Sequence, residues 1–357
     1  KHLTLTALLI ELLALYRAAA HSNLSLSLNH APINDGQNLK SVVSKIRKCD
    51  GQCIDRLSLK FCDLNAKSIR SVSSSIARKL RTHGNFRINS LELTGNNLHK
   101  AGTKCLAHLL AIGLEIKHID LSHCNLSNSD FELILHSISQ SHPHIESLNV
   151  AYNNLDHESM ANITKLFAKS DFQLTNIDLS NNCIGNIGSI YLAEALKHLK
   201  SRQLCLNLSN NKITGEGCYA LAVALSSNKT IVYLDLGGNN IFGKSEEKGS
   251  ERLNRFFKNF YKSMLKNETT NVCAYKSKHG NCVRVCLGAL VRCLKKNQQL
   301  RYLGLCQTGL DDTFFHKLLK DVSGLNGRSK CFIDIGFNVL LNDDSQKLLD
   351  KSVSKTK

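Results

Sequence analysis

The sequence predicts an α/β solenoid, a stack of like units in which a short strand is followed by a helix. Three observations carry that prediction. Residues 174–184, LTNIDLSNNCI, set Leu174, Ile177, Leu179, Asn182 and Ile184 in the order L-x-x-L-x-L-x-x-N-x-L, where a strand turns a corner at the Asn. The place held by Leu179 recurs at Leu28, Leu59, Leu93, Leu121, Val150, Leu208, Leu236, Leu305 and Ile335. Between Leu93 and Leu236 the steps are 28, 29, 29, 29 and 28 residues, too regular for chance.

A period of this length and pattern is that of a leucine-rich repeat, and it predicts a right-handed solenoid with a parallel concave sheet and convex helices, a horseshoe. The strands take the concave side because a helix is wider than a strand. Each unit of the array then has a reason. In the unit from Leu204 the strand is CLNLSN, the corner is Asn211, and GEGCYALAVALSSN supplies a helix with Leu221 and Leu225 one turn apart on its inner side. Each inward leucine contributes about 1.5–3 kcal/mol of burial. The corner residues Asn96, Asn153, Asn182, Asn211, Asn239 and Asn338 are expected to satisfy backbone groups that the turn strands. Cys62 and Cys124 fill the same corner place.

Taken in order, residues 1–22 read as a helical part-repeat, about 23–242 as repeats, about 243–281 as an insertion, about 282–350 as the final repeats and 351–357 as a polar tail, all within one domain. The apolar start resembles a secretory leader, with small residues at Ala18 to Ala20, but Glu11 interrupts it and the repeat spacing makes 4–18 a helix of the array. No stretch is apolar for the roughly 18 residues that a membrane span needs. The insertion is located by the step of 69 residues from Leu236 to Leu305. Within it, residues 250–266 carry Leu253, Phe256, Phe257, Phe260, Tyr261, Met264 and Leu265 at helical spacing against a basic back. Packing on the repeats is the expectation there, and contact with a membrane surface the lesser alternative.

The net charge of +17 raises nucleic acid as a partner, and the placement of the acids argues against it. Fourteen cysteines fall at repeat positions and not in a disulfide framework, which suits thiols in a reducing compartment and a cytoplasmic protein. Cys273, His279, Cys282 and Cys286 cluster, but gaps of five, two and three residues suit structural zinc poorly. His123 beside Cys124 is adjacent in sequence only, since the corner cysteine faces inward. No phosphate loop, nucleophile elbow or metalloprotease motif is present, so neither catalysis nor a cofactor is expected.

Specific signal lies on the outward side of the strands. Side chains alternate, so the places before each of the last two leucines face out. One of them holds Glu92, Asp120, Asn149, Asp178, Asn207, Asp235 and Asp334, a row of acids and amides in a basic chain. The other holds Arg56, Ser90, His118, Ser147, Asn176, Cys205, Tyr233, Tyr302 and Phe332, the last three aromatic on consecutive strands. With Gly237, Gly304 and Gly336 as neighbours, these rings are expected to form an uncovered ladder.

The motifs LELTGNNL (91–98), IDLSHCNL (119–126), LNVAYNNL (148–155), IDLSNNCI (177–184), LNLSNNKI (206–213) and LDLGGNNI (234–241) resemble the ribonuclease-inhibitor-type leucine-rich repeat family. The resemblance covers about 20–340 and implies a protein-binding scaffold. The family includes ribonuclease inhibitor, the GTPase-activating protein of Ran, intracellular immune receptors and effectors of intracellular bacterial pathogens. The short irregular array, rich in Lys, Asn, Ser and Ile, looks most like an effector, which would act in the host cytosol. The expectation is therefore a non-enzymatic scaffold that binds a partner protein, basic at its contact surface, through the concave face. Tyr233, Tyr302 and Phe332 serve as anchors and Glu92, Asp120, Asp178 and Asp235 select the charge. The alternative is a regulator of an enzyme, either an inhibitor or a GTPase activator.

Overall fold

Alternation of leucine with polar residues makes a strand with one buried side, and the Asn corner ends it after three to six residues. The computed structural model describes residues 24–31, 36–49, 53–84, 86–140, 145–167, 174–199, 203–243, 280–323 and 331–338. Strand and helix alternate through them: β1 (Leu24–Ser27), α1 (Gly36–Lys48), β2 (Cys53–Ser58), α2 (Ala66–His83), β3 (Arg87–Glu92), α3 (His99–Ala111), β4 (Glu115–Asp120), α4 (Asn128–Gln140) and β5 (Ser147–Asn149), then α5 (His157–Phe167), β6 (Asn176–Asp178), α6 (Gly185–His198), β7 (Leu204–Asn207), α7 (Gly215–Leu225), β8 (Ile231–Asp235), α8 (Gly280–Lys296), β9 (Tyr302–Gly304), α9 (Asp312–Ser323) and β10 (Phe332–Asp334). This is the α/β leucine-rich repeat solenoid class that the spacing predicts.

Packing divides the chain into two units, one within Lys1–Asn125 and His136–Leu148 and one within Leu126–Leu135 and Asn149–Lys357. In the first, β1 to β4 pair in parallel with the motif leucines in register, Leu26 with Leu57, Leu57 with Leu91 and Leu91 with Ile119. Helix α1 packs on α2 and α2 on α3. In the second unit β6 to β10 pair likewise, Ile177 with Leu206, Leu206 with Leu234, Leu234 with Leu303 and Leu303 with Ile333. There α5 packs on α6, α6 on α7, α7 on α8 and α8 on α9. Since β8 pairs directly with β9, the 69-residue step from Leu236 to Leu305 is a single step in space. Asn297 marks the same join on the other side of the repeat, donating to Leu225 O at 2.7 Å and Asn228 O at 3.0 Å.

The corner asparagines act as the motif predicts. Asn211 is fully buried; it donates to Leu179 O at 2.8 Å and Ser209 O at 3.1 Å, while its Oδ1 accepts from Ile184 N. Asn96, Asn182, Asn239 and Asn338 repeat the pattern. Cysteine reproduces the pattern with one bond moved. Cys124 Sγ reaches Leu93 O at 3.2 Å and is bonded by the N–H of Asn96, while Leu98 N turns to the Cys124 carbonyl. Burial pushes the Cys124 thiol up to about 12, so it stays protonated and able to donate.

Two residues beyond each strand leucine the backbone is left-handed in all ten described units: His30, Phe61, Gly95, His123, Tyr152, Asn181, Asn210, Gly238, Gln307 and Phe337, with φ from 53° to 73°. A bulky residue there costs roughly 1–2 kcal/mol of backbone energy. The conformation carries the ladder around the corner, as when Phe61 N donates to Thr94 O at 2.8 Å and Asn210 N to Gly237 O at 2.8 Å.

The part-repeat 1–22, nearly all of the insertion including 250–266, Cys273, His279, the end of the final repeat and the tail 351–357 lie outside the described residues. No described helix is long and apolar enough to cross a membrane. Among the described residues no group of three or more His, Cys, Asp or Glu is placed to hold a metal ion.

Candidate functional site

The aromatic column assembles in the second unit. Register sets Tyr233 beside Tyr302 and Tyr302 beside Phe332. The Tyr233 and Tyr302 rings stack at 4.3 Å between centroids and 5° between planes, and Tyr302 and Phe332 at 5.9 Å and 23°. The rings face solvent: Phe332 is 42% exposed, and both tyrosines are half-buried by their neighbours in the stack.

The acid and amide column runs alongside, and the structure explains its composition. Asp178 Oδ1 accepts from Ser180 N at 2.9 Å, Asn207 Oδ1 from Ser209 N at 3.0 Å, Asp235 Oδ1 from Gly237 N at 2.8 Å and Asp334 Oδ1 from Gly336 N at 3.1 Å. Each side chain satisfies the N–H two residues on, where the strand stops, and Asp and Asn do this equally well. The negative charge is thus additional to the structural need.

Glycine has a different part here from that expected. A Cβ on Gly304 would stand 2.3 Å from Asp235 Oδ1 and 3.1 Å from Tyr302 Cε1; one on Gly237 would meet Asp235 Oδ1 at 3.1 Å and the Cys306 carbonyl at 3.3 Å. One on Gly336 would meet Asp334 Oδ1 at 3.4 Å. These glycines make room chiefly for carboxylates, and only Gly304 lies against a ring.

Electrostatics at the two acids diverge. Burial, with the charges of Asp334 and Asp178 nearby, raises the Asp235 pKa above the ordinary carboxylate value, against the Gly237 N–H, which lowers it. At Asp334 burial also acts upward, but hydrogen bonds from Cys306, Gly336 N and Tyr302 outweigh it and hold the carboxyl below its ordinary value. The Tyr302 hydroxyl donates to Asp334 Oδ2 at 3.1 Å, and burial and the adjacent carboxylates push its own pKa far up. Burial and the Asp334 carboxylate raise the Cys306 thiol to about 12.

The first unit is different. Glu92 is one carbon too long to cap its own strand and pairs with Arg56 Nε at 3.4 Å and Lys60 Nζ at 3.1 Å. Burial opposes its ionisation, and the bonds from Lys60 and Ser58 with the charges of Lys60 and Arg56 prevail, lowering its pKa. Its charge is spent within the chain. Asp120 accepts from Ser122 N at 3.0 Å and Ser122 Oγ at 2.7 Å. The predicted row is therefore brought together as Asp178, Asn207, Asp235 and Asp334 in the second unit, with Glu92 and Asp120 in the first.

Sequence reasoning missed the corner column. Phe61 is 47% exposed, Tyr152 51% and Phe337 79%, and His30 stacks on Phe61 at 5.0 Å and 7°. The signal was a variable residue always two places past the strand leucine, with glycine at Gly95 and Gly238 marking the backbone requirement.

A family model described as Leucine Rich repeat matches residues 204–222 and 227–244. Among curated proteins the chain is similar to NACHT, LRR and PYD domains-containing protein 14 of Mus musculus, 26% identical over an alignment of 246 positions, with 60% of this chain and 24% of that protein covered. It is likewise similar to NACHT, LRR and PYD domains-containing protein 3 of Rattus norvegicus, 27% identical with 57% of this chain and 18% of that protein covered. Tonsoku-like protein of Danio rerio is 28% identical, with 63% of this chain and 13% of that protein covered. The chain spans a quarter or less of the length of these relatives. Recurring motif, parallel strands alternating with helices, buried corner asparagines and the family match agree: this chain carries leucine-rich repeats and folds as an α/β leucine-rich repeat solenoid.

Proposed function

We propose that the protein is a non-catalytic scaffold that binds a partner protein through the solvent-facing side of its strands, with Tyr233, Tyr302 and Phe332 as anchors. The observation that carries this reading is the stacked, solvent-facing ladder of three rings beside Asp178, Asp235 and Asp334. Clustered exposed aromatics are the usual centre of a protein interface, and acids at the margin that have no ion pair among the described residues favour a basic contact surface and speed encounter. Free thiols such as Cys205, Cys218 and Cys306 support a reducing, cytoplasmic setting.

The test is retention of protein from cell lysate on the immobilised chain. Tyr233→Ala with Tyr302→Ala is expected to weaken binding of the retained partner by about tenfold or more, and rising salt is expected to slow its association. Unchanged affinity in the double variant rules the anchors out. An effector role in a host cell, and a regulator of GTPase-activator or inhibitor type, rest on resemblance alone, and no feature of this face favours either over a plain scaffold.

A further inference from the structure

The ladder has an open end. Tyr233 and Tyr302 are nearly parallel and 4.3 Å apart across neighbouring strands, so their ring normals run along the direction in which the strands pair. Tyr302 covers one face of Tyr233. The other is turned toward β7, where the register partner is Cys205, a side chain too short to cover a phenol ring. Beyond Cys205 comes Asn176 on β6. The stack therefore stops at Tyr233 and leaves a notch floored by Cys205.

Carboxylates flank this notch. In the neighbouring column Asp178, Asn207 and Asp235 stand in register on β6, β7 and β8. Asp235 stands two residues past Tyr233 on β8 and Asp178 lies two strands away on β6, and the charges of both act on the Tyr233 hydroxyl. Among the described residues no Lys or Arg forms an ion pair with Asp178, Asp235 or Asp334, whereas Glu92 holds two. In a chain of net charge +17, the acids beside the ladder have no counter-ion among the described residues.

Resting on the scaffold reading, we propose that the β7-facing side of Tyr233, above Cys205 and between Asp178 and Asp235, seats the guanidinium of an arginine on the partner protein. A flat guanidinium stacks on a phenol face while its edge N–H groups bond carboxylates, and both demands are met here at once. A lysine ammonium meets the charge but does not stack. An aromatic residue of the partner would extend the stack but would bury both carboxylates without a counter-charge.

The test titrates the full chain with the peptide acetyl-Gly-Gly-Arg-Gly-Gly-amide and with counterparts carrying citrulline, Lys or Phe in place of Arg, following the amide resonances of Cys205, Asn207 and Tyr233. The Arg peptide is expected to shift these resonances and the citrulline peptide, neutral and of the same shape, to bind about tenfold more weakly, with Lys between them. Cys205→Phe continues the stack onto the open face and is expected to weaken the Arg peptide about tenfold. Asp235→Asn, which keeps the bond to Gly237 N, is expected to weaken it independently. Citrulline or Phe binding as tightly as Arg overturns the proposal, as does unchanged Arg affinity in a folded Cys205→Phe protein. If the Arg peptide moves none of these resonances while Tyr302→Ala still abolishes retention of a protein partner, the arginine seat falls and the ladder reading stands. If Tyr302→Ala leaves retention unchanged, the ladder reading itself falls.

Discussion

The hydroxyl of Tyr302 donates to Asp334 Oδ2 at 3.1 Å, from one strand to the next. The bond ties the aromatic column to the acidic one. Tyr302→Phe keeps the stack and removes this bond, so it is expected to destabilise by about 1 kcal/mol at neutral pH, the low end for a charged acceptor because both groups are partly exposed. Since Asp334 is held below its ordinary pKa, its contribution is present above the ordinary carboxylate range and is lost as pH falls through the depressed value. Urea unfolding of both proteins at neutral and acid pH checks this; a difference that grows in acid contradicts it.

Asp235 has the opposite sign. Its raised pKa means the folded state holds the proton more tightly than the unfolded one, so stability falls as pH rises through the ordinary carboxylate range to the raised value. Asp235→Asn keeps the acceptor for Gly237 N, as Asn207 does on the next strand, and removes the buried charge. The variant is expected to melt higher than the parent at neutral pH and level with it in acid. A lower melting temperature at neutral pH sinks this account of the acid.

Gly304→Ala puts a Cβ 2.3 Å from Asp235 Oδ1, an atom already held by Gly237 N, so carboxylate and hydrogen bond must give way together. The expected loss is about 1 kcal/mol. Gly336→Ala is the matched control, since its Cβ would meet Asp334 Oδ1 at 3.4 Å, an ordinary contact. Equal losses in chemical denaturation show that the space over Gly304 is not what matters.

Asn211→Ala takes one of two donors from each of the carbonyls of Leu179 and Ser209, removes the acceptor of Ile184 N, and is expected to cost about 1–3 kcal/mol. Asn211→Cys is expected to recover part of this, because Cys124 donates to carbonyls at its own corner and is bonded by Asn96 N, while Leu98 N goes to its carbonyl and not to its side chain. The order parent, Cys, Ala in unfolding midpoint is the outcome to look for, and Cys falling below Ala removes the claim that a thiol does part of the work.

How much of this was legible depends on range. The leucines, the corner asparagines and the outward placement of Tyr233, Tyr302 and Phe332 follow from a fixed period and from the two-residue alternation of a strand, which are local properties of the chain. That Tyr233 stands beside Tyr302 was also legible, because the insertion interrupts a loop and not the register. The left-handed corner is only faintly legible, because its backbone demand is met by His, Phe, Tyr, Asn and Gln as well as by the two glycines, Gly95 and Gly238, that mark it.

The sequence by itself determined the repeat, the core and the row of acids, since each is a choice of residue at a known place along a strand. Only the tertiary structure decided which acids are paired within the chain. Glu92 is neutralised by Arg56 and Lys60 from the preceding repeat, while Asp235 lies over a glycine on the next strand with no cation beside it among the described residues. Charge pairing is set by distances of a few ångströms between residues some thirty or more positions apart, and no pattern along the chain records those distances.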